Sequence, residues 1–458
     1  MSRPIVRLVA LAGISALAVA GCAAPGSTSA PPKDAATPSG EVKTDPAALG
    51  NVTLTVWDQE VRGGQAQQIT KLNDEFQKKY PNIKIKRVSR SFDDLNKTLK
   101  LALSGDTPPD VFQSNNGRSD MGTFVKGNLL LSLDPYAKAY GWDQRYPESV
   151  RQYSSYTPDG KTFGKGSLYG LPQVGEVVGL YVNTAHLKEA GLQPPTTWAE
   201  LESSMATLKT KRPNEAPLVL GNLDKWPAVH VFGPIQAQYV APDTIRQLGF
   251  GQPGGNWVTP ENTKAAQTLV DWVDKGFLDN KANGLGYDPA WQSFGKGTGT
   301  YLMAGTWLAP DLSKAMKGDV TFMLPPPSSA AGGKPVSTGG TGIPWAISSK
   351  SKNPDAAAAY IDFITNKDAM KTLAETGNLP VVDTAAQKAP DALTQDVFTA
   401  FGTIVQQNGL VPYLDYATPT MGDTIGAALQ DLIAKKNTPE QFLQTVQKDY
   451  GDYVEKNG

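Results

Sequence analysis

Apolar and polar positions along this chain follow two different periods, and the period switches several times in the first hundred residues. Residues 52–57 (VTLTVW) form a β-branched, apolar run, the pattern of a strand. Over residues 65–79, Ile69, Leu72 and Phe76 recur on one helical face. Ile83, Ile85 and Val88 mark a second strand. Phe92, Leu95, Leu99 and Ala102 mark a second helix, which Gly105 follows. Residues 110–113 (DVFQ) read as a short third strand. Strand, helix, strand, helix, strand predicts a parallel sheet with crossover helices. Ligands of such sheets sit at the carboxyl ends of the strands. Those ends are here Trp57-Asp58-Gln59 and Gln113-Ser114-Asn115-Asn116.

A second region is expected from Asp134 onward, with strands at 169–172 and 177–182. Thr197 followed by Glu200 is a capping-box start for a helix. Thr259-Pro260-Glu261 opens another, with proline at the first helical position. Ala266, Leu269, Val270 and Val273 form its apolar face and Gly276 ends it. Asn353-Pro354-Asp355 opens a third, with Tyr360, Ile361 and Ile364 facing a core. Three more helices are expected at 394–407, 420–436 and 439–456.

The N-terminus changes the picture. Arg3 and Arg7 precede an uncharged apolar run at 8–20, shorter than the roughly 20 residues a spanning helix needs. This is the form of a secretory signal peptide, residues 1–21. The run ends in Val19-Ala20-Gly21-Cys22, which resembles a bacterial lipobox, so Cys22 is expected to be lipidated. Residues 22–50, rich in Ala, Pro, Ser, Thr and Gly and without aromatics, are expected to be a flexible spacer. Cys22 is the only cysteine, so no intrachain disulfide or cysteine-based metal site forms. With 43 basic and 44 acidic residues the net charge is -1, and no basic half points to nucleic acid.

Catalytic signatures are scarce. The sequence holds two histidines, His186 and His230, without an HExxH pair, a G-x-S-x-G elbow or a Walker A loop. Both histidines read as helix-surface or core residues. A glycoside hydrolase needs two facing carboxylates; Asp58, Glu60, Asp93, Asp94 and Glu176 are candidates by type. Tryptophan placement is more telling. Trp57, Trp226 and Trp307 stand at strand ends or loop starts beside polar residues. An aromatic face covers the apolar side of a pyranose ring, and planar polar side chains pair with its hydroxyls. Trp198, Trp272, Trp291 and Trp345 read as packing residues. Asn115-Asn116-Gly117 is also a turn signal, and Gly339-Gly340 also reads as a loop through which a ligand can approach the backbone.

Taken together, LTVWDQ (54–59), KKYPNIKI (78–85), LALSGDTPPDVFQSNN (101–116), LYGLPQVGEVVGLYVNTAHLKEAGLQPPTTWAEL (168–201), FGKGTGTYLMAGTW (294–307), GGTGIPWAISSKSKNPDAAAAYIDFI (339–364), TGNLPVV (376–382) and VPYLDYATP (411–419) resemble, in order, the family 1 extracellular solute-binding proteins that include maltose- and oligosaccharide-binding proteins of ABC importers. The resemblance implies a two-lobed, periplasmic-binding-protein-like α/β fold, each lobe a sheet flanked by helices. A hinge and ligand cleft would lie between lobe 1 (51–133 and 342–378) and lobe 2 (134–341 and 379–458). It implies sugar contacts from Trp57, Asp58, Gln59, Arg62, Asn115, Asn116, Glu176, Trp226, Trp307, Gly340, Tyr413 and Asp415. It also implies a monomer without cofactor, lipid-anchored on the outer face of the cytoplasmic membrane, that binds a sugar and docks on permease subunits. A lipid-anchored glycoside hydrolase and a binder of a non-carbohydrate ligand such as a polyamine are the alternatives.

Overall fold

The computed structural model describes residues 35–457. The expected leader, Cys22 and the first part of the spacer lie outside the described residues. Among the described residues, no helix is long and apolar enough to cross a membrane.

The first lobe is built on a four-stranded sheet in the order Trp345–Ile347, Val111–Gln113, Val52–Asp58, Ile83–Ser89. The last three strands are parallel, with Val52 opposite Ile83 and Trp57 opposite Phe112. Trp345–Ile347 adds antiparallel to Val111–Gln113. The crossovers are the helices Gly63–Lys79 and Phe92–Ser104, as the periodicity predicts. Ile69, Leu72 and Phe76 close one core with Leu54, Val56, Ile361 and Ile364. Phe76 meets Tyr360 edge-on at 5.4 Å, and the Tyr360 hydroxyl donates to Asn73 Oδ1 at 2.7 Å.

The second lobe is organised around the nine-residue strand Gly175–Asn183. Ser337–Thr341 and Val320–Met323 pair along it antiparallel, as does Tyr301–Gly305; Leu218–Val219 and Leu410–Val411 extend the sheet in parallel. Helices Trp198–Lys211, Pro260–Asp274, Met421–Ile433 and Pro439–Asn457 pack around it. The capping box is formed: Glu200 N–H donates to Thr197 Oγ1 and Thr197 N–H to the Glu200 carboxylate, each at 3.2 Å. Trp198 and Trp272 stack at 5.3 Å in the packing role expected of them.

Two expectations change. Residues 35–50 are not a free spacer. Ser132 N–H donates to Ala36 O at 2.7 Å, and Asn82 Nδ2 donates to Pro46 O and Gly50 O. Val42 and Leu49 lie on the first-lobe core, so even this small apolar content finds a surface to bury against. The second lobe also does not start at Asp134. Leu133, Tyr136, Trp142, Tyr146, Leu168 and Leu171 belong to the first-lobe core. Trp142 Nε1 donates to Asp362 at 2.9 Å and the Tyr146 hydroxyl to Thr365 O at 2.7 Å. Those aromatic side chains bury their rings and still satisfy their polar tips there. The chain passes between lobes where Leu171 bridges Trp345, Val174 bridges Pro380, and Gly342 N–H donates to Val174 O at 2.9 Å. Three chain passages thus run side by side, near residues 171–175, 341–345 and 378–381.

Candidate functional site

Both lobes line one cleft. The first lobe contributes Gln59, Arg62, Gln65, Phe92, Asn115 and Asn116. The second contributes Glu176, Trp226, His230, Trp307, Tyr413, Asp415 and Tyr416, and Ile343 lines it from a passage between them. Nine of the expected contact residues, Gln59, Arg62, Asn115, Asn116, Glu176, Trp226, Trp307, Tyr413 and Asp415, are therefore brought together.

Three expected residues are not among them. Asp58 shares the buried face of its strand with Leu54 and Val56, and side chains along a strand alternate between faces. It is fully buried and grips Arg87 through two 2.7 Å bonds, from Nε to Oδ2 and from Nη2 to Oδ1. Trp57, one position earlier, turns to the opposite face with Thr53 and Thr55, and the Arg90 guanidinium lies 4.4 Å from its ring centroid. Gly340 has φ +134°, a conformation that side-chain-bearing residues avoid, and a Cβ there would strike the Tyr153 ring. Gly340 and Tyr153 belong to a separate groove.

The strand ends position the first-lobe polar groups. Gln59 N–H donates to Gln113 Oε1 at 2.8 Å, and Gln113 Nε2 donates to Glu60 Oε1 at 2.6 Å. Glu60 Oε2 is buried without a partner. Burial pushes the Glu60 carboxyl up to about 7. Asn116 Nδ2 donates to Tyr153 O at 2.8 Å and to Thr341 Oγ1 at 3.3 Å, which fixes the amide and leaves Oδ1 free. Asn115 Oδ1 accepts from Asn116 N–H, and its Nδ2 donates to Asp120. Arg62 reaches across the cleft: Nε and Nη2 donate to Asp288 Oδ1 at 3.2 and 2.9 Å, and the guanidinium lies 5.6 Å from the Tyr287 centroid.

The second-lobe wall is aromatic. Trp226 packs on Tyr287 at 4.4 Å and His230 at 5.1 Å, and Phe92 meets it edge-on from the first lobe at 5.9 Å. Trp307 is held by its Nε1, which donates to the Tyr287 hydroxyl at 2.7 Å. His230 lies between Trp307 at 5.5 Å and Tyr413 at 5.2 Å, and Tyr416 follows Tyr413 at 5.4 Å. Burial lowers His230 to about 3, so it is a neutral ring at physiological pH. The Tyr413 hydroxyl donates to Glu176 Oε2 at 3.3 Å. Burial, reinforced by Glu60, raises Glu176 to about 8, against the opposing effects of Tyr413 and Arg62; burial also raises Asp415 to about 6.

These shifts set a pH dependence. Glu176 rises from an ordinary 4.5 to about 8 on folding, so between those values the folded chain holds more protons there than the unfolded chain. Stability from this group therefore falls as pH rises through that window and is constant above it. The stability of Glu176→Gln relative to the parent is expected to rise from pH 5 to pH 8. Urea unfolding across that range measures it, and a difference that does not change with pH contradicts the assignment.

His230, Phe92, Gln65, Ile343 and Tyr416 were not anticipated as lining residues. Trp226 and His230 are spaced i and i+4 around the start of helix Pro227–Ala237, which puts them on one face. That spacing was the available signal for His230. His186 stays on the short helix Thr184–Ala190, outside the cleft.

The model for bacterial extracellular solute-binding proteins matches residues 62–371. The multiple sugar-binding protein of Streptococcus mutans is 24% identical over 319 residues, 68% of this chain and 71% of its own. The maltodextrin-binding protein of Bacillus subtilis is 22% identical over 425 residues, 91% of this chain and 92% of its own. A solved chitin oligosaccharide binding protein superposes with a TM-score of 0.75 at 23% identity, covering 88% of this chain and 99% of that one. With a two-lobed fold, a cleft lined from both lobes, and a family match over most of its length, this chain belongs to the bacterial extracellular solute-binding proteins.

Proposed function

We propose that this protein binds a sugar, and specifically an oligosaccharide, in the interlobe cleft and delivers it to an ABC importer. The observation that carries the reading is the pairing of an aromatic wall (Trp226, Trp307, Tyr413) with amides and carboxyls (Gln59, Asn115, Asn116, Glu176). Rings cover the apolar faces of sugar units, and the polar groups select hydroxyls, because a buried polar group left unpaired costs about 1–3 kcal/mol. The sugar-binding names of the two relatives point the same way.

Ligand bridging both walls favours the closed arrangement by its differential affinity for it. The three side-by-side passages are the place for a hinge, and Arg62–Asp288 is a ready-made contact of the closed lobes. The closed form docks on the permease. Lipidation at Cys22 would hold the monomeric protein at the outer face of the cytoplasmic membrane. The role proposed is binding; of the carboxylates a hydrolase could use, Asp58 is locked on Arg87.

The test is a thermal-shift and calorimetric screen of the purified protein against oligosaccharides, monosaccharides and polyamines. A ligand that binds only the folded state stabilises it by about 2.7 kcal/mol at a hundredfold excess over Kd. The expected result is a shift with one class of oligosaccharide and no cleavage. A flat sugar panel with a polyamine shift, or release of reducing sugar, overturns the proposal.

A further inference from the structure

The hinge end of the cleft has a composition that a neutral sugar does not explain. Three side chains flank the passage at 341–345. Glu176 lies opposite Gly340 in the strand pairing, with its Oε1 against Gly342. Asn116 is tied to Thr341, and Glu60 is held by Gln113, which pairs with Trp345. Asn116 presents an amide acceptor, and each carboxyl presents one once its proton leaves. Among the described residues, Asn116, 1% exposed, leaves Oδ1 unpartnered; Glu60, 2% exposed, leaves Oε2 unpartnered; Glu176 Oε1 has no hydrogen-bond donor, while its Oε2 takes only the Tyr413 hydroxyl. Gln65 Oε1 and His230 Nδ1, on the cleft lining, are also without partners.

Little uncommitted positive charge reaches these groups: Arg87, beside Glu60, is held by Asp58. Among the described residues, Arg62 is the one cation lining the cleft, and two of its nitrogens are committed to Asp288. The groups facing Glu176 are Glu60, Arg62, Tyr413, Tyr416 and Tyr287, and those facing Glu60 are Asp58 and Arg87. A hydroxyl brings one donor and needs donors for its own lone pairs. An ammonium brings three donors and no acceptor. Aromatic faces, here Tyr413, Tyr416 and the neutral His230 beside Trp307, add attraction for a cation.

We infer that the hinge end of the cleft, where Glu176 and Asn116 line it, is a subsite for a protonated amine, so that the sugar taken by this protein is an amino sugar. The inference rests on the sugar-binding reading and narrows it. In the empty cleft the two carboxyls, raised to about 7 and about 8, keep protons that offset their mutual repulsion. An ammonium replaces those protons, so binding near pH 7 releases protons to the buffer. A neutral sugar has no reason to do so.

The experiment is calorimetric titration of the purified protein with matched β-1,4-linked trimers of glucosamine, glucose and N-acetylglucosamine, with the monomers, maltotriose and spermidine alongside. Each titration is run near pH 7 in two buffers of different ionisation enthalpy. The expected result is that a glucosamine ligand binds at least tenfold tighter than its glucose counterpart and releases protons. Glu176→Gln, and independently Glu60→Gln, is expected to remove the preference and reduce the proton release. A neutral sugar binding as tightly as any amino sugar overturns the amine subsite and leaves sugar binding intact. Spermidine binding without any sugar binding, or no binding at all, overturns both.

Discussion

Replacing Arg87 with alanine is expected to lower the unfolding free energy by about 3–5 kcal/mol, the range for breaking a buried ion pair from one side. Asp58 is fully buried, and Arg87 answers both of its oxygens at 2.7 Å. Arg87 Nη2 also donates to Glu60 O at 2.7 Å, so the guanidinium fixes the turn that carries Gln59 to the cleft. Removing it strands a carboxylate where water does not reach. Arg87 itself keeps 22% of its side chain exposed, which places the expected loss toward the lower end of that range. The double variant Asp58→Asn with Arg87→Met removes both charges and is expected to recover much of the loss. Urea unfolding of the three variants measures this; a loss below about 1 kcal/mol for Arg87→Ala would show that the pair holds nothing in place.

The same pair shows where sequence reading reaches its limit. The crossover helices of the first lobe were legible because each has one apolar stripe, as in Leu95, Leu99 and Leu103. Asp58 was read as a ligand contact because it ends a strand. Its partner sits 29 residues away on the neighbouring strand, and only the pairing of Val56 with Arg87 brings the two together. The period-2 rule did contain a warning, since it places Asp58 with Leu54 and Val56 and turns Trp57 away. Helix Pro227–Ala237 went unread for the opposite reason. Every residue in it is buried and Pro234 interrupts it, so it offers no polar face to set a period. Because that helix carries His230, a cleft residue was missed along with it. Residues 35–50 looked like a spacer by composition, yet hydrogen bonds to the carbonyls of Ala36, Pro46 and Gly50 are invisible to composition. Asn115, Asn116, Glu176, Tyr413 and Asp415 fared better, because the resemblance placed them in order along the chain, and the cleft gathers them all.

Trp307→Ala is expected to weaken oligosaccharide binding about 30-fold or more, the loss of about 2 kcal/mol typical of an aromatic anchor in a desolvated pocket. Trp307 sits on the tight turn Thr306–Leu308, directly after the strand Tyr301–Gly305. Its ring is clamped on two sides. Gly305 supplies the space, since a Cβ there would collide with the indole, and the Tyr287 hydroxyl accepts from Nε1 at 2.7 Å. A ring so fixed loses little conformational freedom when a sugar stacks on it, and that is what makes an aromatic an effective anchor. Trp307→Phe keeps an aromatic face but gives up the bond to Tyr287, so an intermediate loss is expected. Trp57→Ala is the discriminating comparison. Sequence position alone ranks Trp57 with Trp307 as a contact, but the strand turns it to Arg90 and away from the cleft. Its removal is expected to change affinity less than twofold, whatever it does to stability. Calorimetric titration of the three variants with the tightest oligosaccharide decides the matter: equal losses for Trp57→Ala and Trp307→Ala would mean that the sugar lies along the strand ends rather than on the aromatic wall.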